Sequence, residues 1–177
     1  MVKKIGKFFV YFFFFLAVLL FFTPKDVLYH QAEQKLNSLG IVISHEIIED
    51  AGFTFKIRDA QLSVKKIPSV YIKNIKFSVF GFYNSIDVQQ IELSKTLKSF
   101  APTKIVFIKA QYTLLNPLHL IANAKGAFGT AEVDIDIVQK KLTLYLHPSK
   151  LMLKDYKSTL RNLKKLKTGG YIYEQAL

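Results

Sequence analysis

The side chains that could do chemistry in this chain are four histidines, a short run of carboxylates and a dense set of lysines. His30, His45, His119 and His147 are scattered, with no pair at the i, i+4 spacing that sets two imidazoles on one helix face for zinc. His45-Glu46 begins like an H-E-x-x-H zinc motif, but Glu49 stands where the second histidine belongs. Glu132, Asp134 and Asp136 alternate with Val133, Ile135 and Ile137, so an extended backbone lines one face with three carboxylates. Such a trio can hold a cation, or it can be the solvent side of a half-buried strand, which is the ordinary reason for this alternation. No G-x-S-x-G elbow and no Gly-rich phosphate loop occurs. Cysteine is absent, which removes thiol catalysis, disulfides and cysteine-ligated zinc. No residue is assigned a catalytic, cofactor-binding or metal-binding role, and the expectation is a protein that is not an enzyme and uses no cofactor.

The lysines carry a different message. Lys150, Lys154, Lys157, Arg161, Lys164 and Lys165 form a basic stripe that only Asp155 opposes. Beside it run Met152, Leu153, Tyr156, Leu160, Leu163 and Leu166 at helical spacing, with Ser149 placed to cap and Thr168-Gly169-Gly170 to stop. This predicts a helix over 149–167 whose Leu153, Tyr156, Leu160 and Leu163 anchor to a sheet. The stripe is then a headgroup- or partner-docking surface, or it is the solvated side of a helix whose leucines cover the core.

The elements that position these residues begin with an apolar run. Phe8 to Phe22 contains no polar side chain except the Tyr11 phenol, close to the ~20 residues a helix needs to span a bilayer. Lys3, Lys4 and Lys7 precede it, which by the positive-inside bias leaves the N-terminus in the cytoplasm. Leu20-Phe21-Phe22-Thr23-Pro24 lacks the small residues of a cleavage site, so a retained signal anchor is expected. Residues 1–23 are accordingly a cytoplasmic basic stub and a transmembrane segment of the inner membrane, with the bulk of the chain in the periplasm. There the net charge of +12 and pI near 9.7 point to anionic headgroups or an acidic envelope protein, and not to nucleic acid. Roughly 150 residues remain, enough for one domain that buries about 70% of its unfolded surface.

Val27, Leu28, Ala32, Leu36 and Leu39 repeat at three- and four-residue spacing between Pro24 and Gly40, predicting a helix over 24–40 that is either a juxtamembrane amphipathic helix or a plain helix packed on the sheet. From Ile41 the period becomes two. Ile57-Arg58-Asp59-Ala60-Gln61-Leu62-Ser63-Val64 is matched at Ile72–Val79 and, less fully, at Val88–Lys95, with Ile105–Tyr112 as a looser fourth copy. In the first three, two polar residues separate the first apolar position from the second, before strict alternation resumes. That parity switch predicts a β-bulge or bend at the same place in successive strands, unless chance likeness among alternating strands explains it. The expected fold is mainly β with flanking α. It comprises the N-terminal transmembrane helix and a β-domain over 41–177, a curved, mostly antiparallel sheet of about eight strands with the C-terminal amphipathic helix. Phe55, Ile57, Leu62, Ile75 and Phe77 should point inward.

This order of parts resembles the type II secretion system protein N family and the broader AsmA-like envelope proteins. The likeness rests on the anchor with Pro24, the helix ending Leu39-Gly40-Ile41, the Ala51-Gly52-Phe53 turn, and the Ile57/Ala60/Leu62 pattern that recurs at Ile72/Ile75/Phe77. It implies an accessory or scaffold role in a type II-like secretion machine of the envelope or, alternatively, AsmA-like lipid handling. The two differ at one place: a scaffold fills its apolar face with its own side chains, whereas a lipid carrier leaves an apolar groove open.

Overall fold

The computed structural model of the chain describes residues 2–65, 67–98, 101–167 and 169–177. The side chains of residues 2–4 and of Leu28 lie outside that description, as does Thr168 of the expected helix stop. Helix α1 (Val2–Phe22) is continuous because no proline interrupts its apolar run. Ile5–Phe22 has a mean hydropathy of 2.4 and none of it is buried, so it is long and apolar enough to serve as a membrane anchor or a signal sequence. Pro24 ends it by disfavouring helical backbone at Thr23, and itself takes the N-cap of helix α2 (Lys25–Ser38). Gly40 closes α2 at φ +77°, its N–H donating to the Asn37 carbonyl at 2.9 Å.

Among the described residues eleven strands follow in one antiparallel sheet. They are β1 (Ile41–Ser44), β2 (Ile47–Ala51), β3 (Thr54–Val64), β4 (Ile67–Val79), β5 (Tyr83–Leu93), β6 (Lys104–Thr113), β7 (His119–Gly126), β8 (Gly129–Asp136), β9 (Lys141–Pro148), β10 (Lys164–Lys165) and β11 (Tyr171–Ala176). From β3 to β9 they form an unbroken meander, with β11 outside β9 and β10 at that edge; at the other edge β1 and β2 share β3. The surplus over eight arises at the margins. The expected first strand divides at His45, which sits at φ 67°, and the C-terminal segment supplies β10 and β11.

The repeat has a structural counterpart. Phe55 and Ile57 face inward before Asp59, and Ala60 and Leu62 after it. In β4 the switch falls at Lys73-Asn74, in β5 at Gln89-Gln90, and in β6 at Val106-Phe107, where the register slips. These positions lie opposite one another. Pairing lapses at Asp59, Lys73 and Gln90 and resumes beyond them in the same register, the slip between β3 and β4 falling farther on at Leu62/Ser63, while Asp59 and Gln90 adopt φ 57° and 54°. His45, between β1 and β2, extends the same line. Aligned interruptions bend a sheet along one direction, and they keep the apolar residues of every strand on one face despite the parity change.

The C-terminal helix expected over 149–167 is corrected by the structure. Helix α3 (Lys150–Asp155) breaks at Tyr156 (φ −122°, ψ 35°), α4 (Lys157–Leu160) adds one turn, and Lys164–Lys165 is strand β10. Ser149 does cap, accepting from the Met152 N–H at 3.1 Å. The break has a physical cause in the stripe itself: cations three and four residues apart repel along a helix, and Ser158, Thr159 and Asn162 are weak helix formers. Two cores result. Tyr29 of α2 lies on Phe55, Ile57 and Ala60 near one edge, and Met152, Tyr156 and Leu160 lie on Leu146 near the other.

Candidate functional site

Cross-strand pairing makes the sheet two-faced. On one face Phe55, Phe77, Ile86, Ala110, Ala122, Val133 and Leu144 stand opposite one another from β3 to β9. A second apolar row, Ile57-Ile75-Val88-Ile108-Ala124-Ala131-Leu146, runs beside it. The five residues expected inward, Phe55, Ile57, Leu62, Ile75 and Phe77, are all on this face.

Coverage of that face is confined to its ends. Under α2, Phe55 is 3% exposed and its ring packs on Tyr29 at 5.8 Å and Phe77 at 5.9 Å. Lys25, Tyr29, Ala32, Phe55, Phe77 and Val79 line a half-open, mostly apolar pocket of about 190 Å³. Burial pushes the Tyr29 phenol well above its usual range, helped by the charges of Glu46 and Glu33. At the other end α3 and α4 cover Leu146, with Phe128, Ala131, Leu163 and Tyr171 around it. Between these covers the middle strands are roofed by neither helix. Ile86, in the same row as Phe55, is 40% exposed, and Val88, Ile108, Ala110, Ala122 and Val133 are only half-buried. An apolar trough is thus left open across β5 to β8.

The helix stripe read from sequence is partly redirected. Tyr29 and Lys25 face the protein, whereas Val27 and Leu39 are exposed. Lys25 is 6% exposed and its ammonium donates to the carbonyls of Leu20 at 3.3 Å and Thr23 at 3.0 Å, with Asp50 at 3.8 Å. It caps the negative end of α1 and ties it to β2. Sequence periodicity missed this because a buried lysine carries no apolar signal.

The opposite face is polar. Lys56, Lys76, Asp87, Lys109, Asn123 and Glu132 stand in one cross-strand row, with Lys109 and Asp87 3.8 Å apart. The carboxylate trio sits here, each member occupied separately or solvated. Asp134 pairs with His119 Nδ1 at 2.8 Å, Asp136 accepts from the N–H groups of Val138 and Gln139, and Glu132 is exposed. The Asp134 hydrogen bond holds the His119 imidazole above its ordinary pKa. Among the described residues no three His, Asp or Glu side chains gather as a metal site.

The six basic candidates do not form one surface. Lys150, Lys154, Lys157 and Arg161 are exposed along α3, α4 and the residue after it. Lys164 pairs with Ile172 and Lys165 with Tyr171, so successive side chains point to opposite faces of the sheet edge. Leu153, expected as an anchor, is 44% exposed, and Met152 takes its place inside. Comparisons with family models, with curated proteins and with solved structures return no match to this chain. The site is therefore read from its own chemistry.

Proposed function

We propose that this chain is a membrane-anchored, non-catalytic envelope protein that binds lipid, taking acyl chains on the open apolar face of its sheet. The observation that carries this is the trough across β5 to β8: a cross-strand apolar row that is 3% exposed at Phe55 and 40% exposed at Ile86. A protein that only displayed its sheet would gain by roofing that row, since each apolar side chain taken from water is worth roughly 1.5–3 kcal/mol. The α1 helix supports the same reading, because an anchor holds the trough beside a bilayer. This favours the AsmA-like alternative over the secretion scaffold, whose apolar face should be filled by its own side chains.

The test is Ile86→Asp in the full chain, purified in mild detergent and extracted for lipid mass spectrometry. Co-purified phospholipid should fall several-fold relative to the parent, while thermal unfolding changes little because Ile86 is already exposed. Equal lipid in both would remove the lipid reading and restore the scaffold role, with its envelope protein partner, as the better account.

A further inference from the structure

Hairpin turns ordinarily carry Gly, Asn, Asp or Ser, which bend easily and stay hydrated. At one end of this sheet such residues share the turns with large apolar ones. The turn after β4 is Phe80-Gly81-Phe82, the one after β6 is Leu114-Leu115-Asn116-Pro117-Leu118, and the one after β8 opens with Ile137-Val138. Phe82 is 68% exposed, Leu115 98% and Val138 65%. The opposite end mixes charge with its apolar residues: exposed Lys65 follows exposed Val64 at the end of β3, Ile67 is exposed at the start of β4, and exposed Lys95 and Lys98 follow β5. Single exposed apolar residues need no explanation, but a run of them on successive turns at one end does.

These tips form a continuous rim. Backbone hydrogen bonds join neighbours across it, from Val79 to Phe53 at 2.9 Å, Leu114 to Phe82 at 3.0 Å and Ile137 to Leu118 at 2.9 Å. Phe82, Leu114, Leu118 and Ile137 each lie four residues beyond the Ile86-Ala110-Ala122-Val133 row, about 14 Å along an antiparallel strand. The open trough therefore points toward the rim, with Asn84 and Tyr112 between them on β5 and β6 and Leu120 and Ile135 on β7 and β8. The same end holds the last turn of α1: Phe21 packs edge-on to Phe53 at 5.4 Å, Phe53 stacks on Phe80 at 5.6 Å, and Leu20 reaches the Gly81 turn. An apolar helix and the apolar tips thus share one end of the molecule.

We infer that the rim of tips around Phe82, Leu115 and Val138 inserts into the surface of the bilayer that α1 spans, seating the trough's open end on the acyl region. The inference rests on the anchor part of the proposed function, since α1 must be in the bilayer to bring the tips to it. A lipid surface fits this rim better than a protein does, because the contacts continue those of a helix whose every face is apolar and exposed.

The chain has no cysteine, so single cysteines can be placed without removing any. Full-length protein carrying an NBD probe at Leu16, Leu115, Val138 or Lys95 would be reconstituted into phosphatidylcholine–phosphatidylglycerol vesicles, with and without doxyl-labelled lipid. The expected result is strong doxyl quenching at Leu16, Leu115 and Val138, several-fold above that at Lys95, with iodide reaching only Lys95. Doxyl quenching at Leu16 but not at Leu115 or Val138 overturns the rim alone. Shielding of Leu115 from iodide without doxyl quenching also overturns it, in favour of a protein contact. No quenching at Leu16 removes the anchor reading and the rim with it. In Phe82→Asp/Leu115→Asp protein, quenching at Val138 should drop at least two-fold; no change there counts against the rim.

Discussion

Gly129 shows how much one residue can decide. It opens β8 at φ +117°, and a Cβ there would run into the His147 carbonyl oxygen and approach the Ser149 N–H at 2.7 Å. Those atoms belong to the end of β9 and to the cap of α3, so the glycine allows the β7–β8 turn to lie against the start of the C-terminal segment. Gly129→Ala should cost at least about 2 kcal/mol, since the backbone strain alone is of order 1–3 kcal/mol and the contact adds to it. Chemical denaturation of the full chain in detergent measures this; an unchanged midpoint would mean the turn can relax elsewhere. Lys25 is a second residue of this kind, since its burial against the carbonyls of α1 holds the apolar helix to the sheet.

At the scale of elements the C-terminal segment is the instructive one. Its apolar residues and its lysines were both legible, but helical spacing does not reveal where a helix stops when like charges accumulate along it. Met152, Tyr156 and Leu160, four residues apart, meet Leu146, while Leu153, one position on from Met152, faces outward. Leu160→Ala should therefore cost about 2–5 kcal/mol. Leu153→Ala should stay within about 0.5 kcal/mol, as exposed substitutions generally do. Thermal unfolding of both variants checks the contrast, and equal losses would point to a continuous helix with Leu153 inside. The basic side chains of α3 and α4 remain a solvated group near that end of the sheet, and Lys164 and Lys165 are separated from each other by the pleat.

For the whole molecule the line from Asp59 through Lys73 and Gln90 to Val106 is the organising feature. Side-chain parity in a strand is two, so one extra residue moves everything beyond it to the other face. Strands β3 to β6 each carry that extra residue opposite the neighbour's, which preserves one apolar face across the bend. Deleting Asp59 alone should misalign β3 with β4 and lower the thermal midpoint by many degrees. Deleting Asp59, Lys73, Gln90 and Val106 together should recover much of the loss by restoring matched strands in a flatter sheet. Circular dichroism melts of the two proteins settle it; a matched deletion no better than the single one would deny the line its role.

Several features were decided by sequence alone because their causes are local. The apolar helix, the proline and glycine that bound α2, the alternation of the strands and the parity switch at positions 58–59, 73–74 and 89–90 all follow from backbone preference and side-chain order. Antiparallel pairing of consecutive strands followed too, since short turns permit little else. What only the tertiary structure decided were matters of relative position. That the parity switches fall on one line, that Tyr29 rather than Val27 meets Phe55, and that the turns bearing Phe82, Leu115 and Val138 share the sheet end whose Phe53 and Gly81 meet α1 all depend on register between distant segments. The open trough depends on it most. A row of Ile and Ala reads as core in any strand, and whether it is roofed depends on where two short helices come to rest, which no local pattern encodes.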